Sequence, residues 1–175
     1  RQRQMCIRDR YIGTANNDDS TFAITDKVYD RAMPINIDTK GVPFEAPLTD
    51  SVYISYKHFE YILNAAKVQF VVSEENLKKI ALLDDYVIEH FRIAFGNRIV
   101  KQLRDFVPAY VGTGGTELDG LDYVLARKVF RKFESLNLSY IRDEIDGLCA
   151  YIDELFGEEN MTESKDYLRM LKKLV

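Results

Sequence analysis

The sequence predicts a mostly α-helical chain of the α/β class, with two short strands near its start and helices thereafter. Three observations lead there. From Ser55 onward, apolar residues recur every three or four positions, the period of a helix with one buried face. Residues 11–15 and 35–38 are brief apolar runs, the first stopped by polar residues over 16–21 and the second preceded by Pro34. Cap residues, among them Thr25, Ser55 and Ser73, stand where the helical faces begin.

Taken in order, residues 1–10 (RQRQMCIRDR) look like translated sequencing-adaptor read-through and are set aside as non-native. A basic amphipathic arm is the alternative. The strand over 11–15 is short and is expected to continue upstream in a longer natural chain. Thr25 and Asp26 open a short helix, with an acid in the first turn where the dipole favours it. Pro34 lacks the N–H to continue that helix and disfavours helical geometry at Met33. Residues 35–38 form the second strand, and 39–50, with Pro43 and Pro47, read as a connector.

Ser55 then caps a helix carrying Phe59, Ile62, Leu63 and Ala66 on one face. Residues 68–72 are a strand or a buried linker. Ser73, Glu74 and Glu75 open a stronger helix with Leu77, Ile80, Leu83, Val87, Phe91 and Phe95, which Gly96 is expected to end and after which Asn97 caps the next. That next helix carries Ile99, Leu103, Phe106 and Tyr110. Thr113, Gly114 and Gly115 form a loop, and Leu121, Leu125, Val129 and Phe133 mark a further helix. Ile141, Ile145, Leu148, Ile152, Leu155 and Phe156 define one more face, and a last helix from about Ser164 bears Leu168, Leu171 and Leu174.

The 175 residues suffice for one domain, or for the end of one plus an appendage. A net charge of −4 argues against a nucleic-acid clamp, whose surface needs clustered Lys and Arg. No run approaches the ~20 apolar residues of a membrane span. Of the two cysteines, Cys6 lies in the suspect arm and Cys149 on an apolar helical face, so a reducing cytosol without disulfides is expected.

Gly13, Thr14, Ala15, Asn16, Asn17, Asp18 and Asp19, followed by Asp30, Arg31, Ala32 and Pro34 leading into 35–37, resemble the second half of a AAA+ nucleotidase core. The closest branch is the McrB-like one, the motor subunits of 5-methylcytosine-specific restriction systems, whose fourth strand ends in G-T-x-N-x-x-D. Phe95, Gly96, Asn97 and Arg98 are similar to the f-G-x-R pattern at the sensor-2 position of the helical lid. The resemblance spans about residues 11–133. It implies three segments after the non-native arm: the end of the core over 11–50, linker and lid over 51–134, and a helical tail over 135–175. It also implies a ring, with six subunits expected, that binds and hydrolyses ATP or GTP with Mg, in the prokaryotic cytoplasm, off the membrane, with a nuclease subunit and DNA as possible partners. A MoxR-like chaperone ATPase is the alternative within the class, and a non-enzymatic helical interaction module the alternative outside it.

The candidate chemistry rests on few side chains. Hydrolysis needs a water held in line with the terminal phosphate, and a neutral amide at a strand end can orient it without adding negative charge; Asn16 or Asn17 fits, with Thr14 and Asp19 beside them on the nucleotide. For Asp19 the resemblance implies ordering of the loop or selection of the base, with a solvated turn acid as the plain alternative. Arg31 corresponds to the arginine finger that reaches a neighbouring subunit's nucleotide, and Arg98 to the sensor-2 arginine on the terminal phosphate of its own subunit. The plain alternatives are a turn for the asparagines, a surface pairing with Asp26 or Asp30 for Arg31, and a pairing with Asp84 or Asp85 for Arg98.

Two look-alikes are rejected. Residues 80–85 (IALLDD) imitate a magnesium-binding acidic strand but sit inside a helical period. Residues 112–115 (GTGG) imitate a phosphate loop without the following Lys-Ser or Lys-Thr. His58 and His90 have no partners at metal-ligand spacing. The phosphate loop and the acidic strand of a working nucleotidase are absent from the sequence, so this stretch is not expected to hydrolyse nucleotide by itself, and no metal ligand is assigned within it.

Overall fold

The computed structural model describes residues 12–15, 25–29, 31–35, 37 and 40–173. Among them are seven α-helices, one 3-10 segment and no strand. The chain divides into two compact units, Arg1–Met33 and Pro34–Val175.

In the first unit, residues 12–15 are exposed and irregular, and α1 (Asp26–Tyr29) is a single turn. The N–H groups of Arg31 and Ala32 both bond the Val28 carbonyl, at 3.0 and 2.9 Å, which closes the helix three residues ahead of Pro34. The expected strands are a correction. Residues 12–15 make no ladder, and Ile35 and Ile37, the described apolar residues of the second, stand exposed. An extended segment becomes a strand only when a neighbour completes its hydrogen bonds.

The second unit is helical. Ser55 caps α2 (Tyr56–Gln69), its hydroxyl accepting the His58 N–H at 3.2 Å. The 68–72 run resolves into the end of this helix plus a linker in which Val72 alone is buried. Ser73 caps α3 (Glu74–Phe91), with Glu74 and Glu75 in the first turn, and Ile80, Leu83, Val87 and Phe91 form its buried stripe. Glu117 reinforces this start from another helix. One of its carboxylate oxygens accepts from the Ser73 amide at 2.8 Å, the Ser73 hydroxyl at 2.9 Å and the Asn76 side chain at 2.8 Å.

The corner between α3 and α4 (Gly96–Gly112) differs from the expected one. Helix α3 stops at Phe91, where Arg92 adopts a left-handed conformation (φ 59) and bonds the Ile88 carbonyl. Gly96 (φ 75) opens α4 instead of ending α3, and Asn97 lies within the helix. Phe95 explains the shift: its ring is 2% exposed, and its amide donates to Asp84 Oδ1 at 2.8 Å, so the chain must turn early to deliver it.

Thr116 and Asp119 form a reciprocal capping box on α5 (Glu117–Lys128). The face expected as one helix changes pitch after Val129, continuing as a 3-10 segment (Phe130–Ser135). With about three residues per turn, Phe130 and Phe133 eclipse on one side, and both are fully buried, ring edge to ring face.

Helix α6 (Leu138–Phe156) buries Ile145, Leu148 and Ile152 completely and ends at Gly157, whose φ of 93 suits a residue without Cβ. Helix α7 (Thr162–Lys173) buries Leu168 and Leu171; Leu174 lies outside the described residues.

Helix α4 packs on α2 and α5, α3 on α6, and α7 on α5, α6 and the 3-10 segment. The last two helices pack on the earlier ones within this unit. Buried polar groups bind α7 in place. Asp122 accepts the amides of Glu163 and Ser164, each at 2.8 Å, at the start of α7. Lys165 is ion-paired with Asp153 and donates to the Glu158 carbonyl at 2.6 Å. No helix among the described residues is long and apolar enough to cross a membrane.

Candidate functional site

Of the residues expected on the nucleotide, Asn16, Asn17 and Asp19 lie outside the described residues. Thr14 is exposed within the irregular stretch 12–15. Arg31 is exposed in the turn that closes α1, its backbone anchored on Val28 and its side chain in solvent. Thr14 and Arg31 belong to the first unit and Arg98 to the second.

Arg98 is the third residue of α4 and is exposed. The corner that carries it is held at three points: the buried Phe95 ring, the Asp84 carboxylate on the Phe95 amide, and Lys132 Nζ, 3.4 Å from the Ala94 carbonyl. Asp84 Oδ1 accepts that backbone amide. Asp85 is exposed on α3. A guanidinium in the first turn of a long helix, beside N–H groups with no intrahelical acceptor, is suited to a dianionic phosphate oxygen cluster.

Both look-alikes have plain structural roles. Residues 80–85 lie in the middle of α3, with Ile80 and Leu83 in the core. At 112–115 the chain leaves α4: the Thr113 hydroxyl donates to the Tyr110 carbonyl at 2.7 Å, and the Gly114 amide to Val111 at 2.9 Å. His58 and His90 are exposed, His90 stacked on Tyr86 with centroids 4.2 Å apart. Among the described residues no group of three His, Cys, Asp or Glu side chains could hold a metal ion.

Two features escaped the sequence. One is an aromatic clamp around Tyr123. Its ring stacks on Phe106 at 5.2 Å, the Arg127 guanidinium lies 3.6 Å from its centroid, and its hydroxyl donates to the Pro34 carbonyl at 3.0 Å. The i, i+4 spacing of Tyr123 and Arg127 was the available signal. The other is an apolar flank. Ile35, Ile37, Val42, Phe44, Val52 and Tyr53 are each at least 78% exposed.

No protein-family model, no curated protein and no solved structure matches the chain.

Proposed function

We propose that this chain is the carboxyl-terminal part of a ring-forming AAA+ motor that hydrolyses ATP or GTP, serving a prokaryotic DNA restriction or defence system. The observation that carries the reading is Arg98: exposed in the first turn of α4, on a corner braced by Phe95, Asp84 and Lys132. Such an arginine can follow the terminal phosphate of its own subunit while the helical unit turns. Arg31, exposed ahead of Pro34, is the finger offered to a neighbouring subunit, and Asn16 or Asn17 orients the attacking water.

The apolar flank over residues 35–53 supports the same reading, since a nucleotide-binding core packed there would remove it from water. That core supplies the phosphate loop and the carboxylates for Mg. With the ion bound, it would neutralise charge on the β and γ phosphates. The residues of this chain contribute the arginines and the water-orienting amide.

The test is steady-state hydrolysis by the protein with its phosphate loop in place. Arg98→Ala is expected to lower kcat by about 10² or more, and Arg98→Lys to recover little, because a point charge does not reproduce the planar fork. Wild-type protein that hydrolyses neither nucleotide, or Arg98→Ala at the wild-type rate, would refute the reading. Partner capture separates the biological roles: a nuclease subunit or DNA supports restriction, and a metal-insertion or von Willebrand-type partner supports the chaperone alternative.

A further inference from the structure

We propose that Asp84 is a positioning residue for Arg98, an anchor on α3 that keeps the first turn of α4 wound. The inference rests on the motor reading above, and every group it uses lies in the unit Pro34–Val175.

Helix α4 begins without a cap of its own. Helices α2, α3 and α5 each start behind a Ser or Thr whose hydroxyl accepts an amide of the first turn. At the same position α4 has Phe95, whose side chain accepts nothing, and its first turn contains no acid. Free N–H groups at such an end hold the turn only weakly. That turn carries Arg98, and Gly96, Asn97 and Arg98 are all exposed between the buried Phe95 and Ile99. Gly96 adds slack, since its φ is 75 and a Cβ there would meet nothing within 4 Å.

Asp84 supplies the missing hold from another helix. Its Oδ1 accepts the Phe95 amide at 2.8 Å, across 11 residues of chain, and a carboxylate at the amino end of α4 lies on the favourable side of the helix dipole. The bond joins two packing groups, because α4 lies on α2 and α5 while α3 lies on α6. A movement of α3 against α4 is therefore felt at the Phe95 backbone, one helical turn ahead of Arg98. Catalysis by a guanidinium aimed at developing charge is sensitive to displacements of about 1 Å. The charge of Asp84 acts in the opposite sense, since a carboxylate beside this corner repels phosphate. Lost position and lost charge thus predict opposite changes when Asp84 is removed.

The test is a double-mutant cycle on hydrolysis by the protein with its phosphate loop in place. Asp84→Ala, which puts the best helix former in mid-helix, is expected to lower kcat about tenfold and to change it no further once Arg98 is replaced by Ala. Asp84→Asn loses the charge but keeps an oxygen that can accept the Phe95 amide, so it is expected to recover most of the loss. A kcat that holds or rises in Asp84→Ala, an equal loss in both Arg98 backgrounds, or Asp84→Asn as slow as Asp84→Ala overturns the positioning role and leaves the motor reading intact. In the 175-residue chain the Phe95 amide should exchange with solvent about tenfold faster in Asp84→Ala than in wild type. An unchanged exchange rate overturns the role independently of hydrolysis. If Arg98→Ala itself leaves kcat unchanged, the motor reading fails and this inference fails with it.

Discussion

The carboxylate of Asp122 on α5 accepts the backbone amide of Ser164 on α7 at 2.8 Å, across 42 residues of chain. A second amide, that of Glu163, reaches the other oxygen at 2.8 Å, so a residue inside one helix serves as the amino-terminal cap of another. Asp122 is 4% exposed and Ser164 fully buried. Replacement by Ala takes the acceptor from both amides, the buried one of Ser164 and the part-buried one of Glu163. Asp122→Ala should therefore cost about 2–4 kcal/mol, measured by denaturant unfolding of the 175-residue chain. A loss below about 0.5 kcal/mol would mean that the cap is not formed.

The same residue has a pH signature. Burial pushes the Asp122 carboxyl above its ordinary value, and the bonds from Ser164 and Glu163 offset only part of that. Above about pH 4, the usual aspartate value, the folded chain then holds more protons at this site than the unfolded one. In that window stability contributed by the site falls as pH rises, and the cost is complete above the folded value. The unfolding free energy of Asp122→Asn minus that of wild type should rise with pH over this range. A flat or falling difference would show that the amide bonds outweigh burial.

Shortening the chain tests whether the last helices are an appendage. A stop after Ser135 removes α6 from α3 and α7 from α5 and the 3-10 segment. The shortened chain should melt without a cooperative transition by circular dichroism. A sharp two-state melt would support the division after residue 134 that the sequence suggests.

The loop after α4 depends on one missing side chain. A Cβ on Gly115 would lie 2.2 Å from the Tyr110 ring, whereas one on Gly41 would meet nothing within 4 Å. Gly115→Ala should destabilise the chain by about 1–3 kcal/mol, the range for overpacking, and Gly41→Ala by less than about 0.5 kcal/mol. Equal effects on the thermal midpoint would contradict the packing of Tyr110 against this loop.

The helices were legible because burial imposes a period. The predicted faces of α3, α6 and α7 are found with Leu83, Val87, Ile145, Leu148 and Leu168 in the core. What failed depends on partners far along the chain. Phe95 fits the stripe of α3 by spacing, but Asp84 captures its amide and draws it into a corner instead. Val129 and Phe133 are both buried as expected, but between them the backbone tightens to 3-10, a pitch that brings Phe130 and Phe133, three apart, to one side. Nothing in the spacing sets Asp122, Lys165 and Glu117 apart from solvated helix charges; the packing of other helices buries the first two and half-buries Glu117. The strands could not be judged from their own residues, because a strand is defined by its neighbour. For the candidate site, the chemical type of Arg98 and its nearness to a helix start were readable, and its bracing by Phe95, Asp84 and Lys132 was not.

Mixed assemblies test the central claim that Arg31 serves a neighbour's nucleotide. Subunits carrying Arg31→Ala and subunits lacking the phosphate-loop lysine should each be inactive alone. Where they alternate, one subunit's intact phosphate loop meets the other's Arg31, and hydrolysis should reappear on mixing, rising to a maximum at intermediate ratios. Mixtures that stay inactive at every ratio, with subunit exchange verified, would contradict the account.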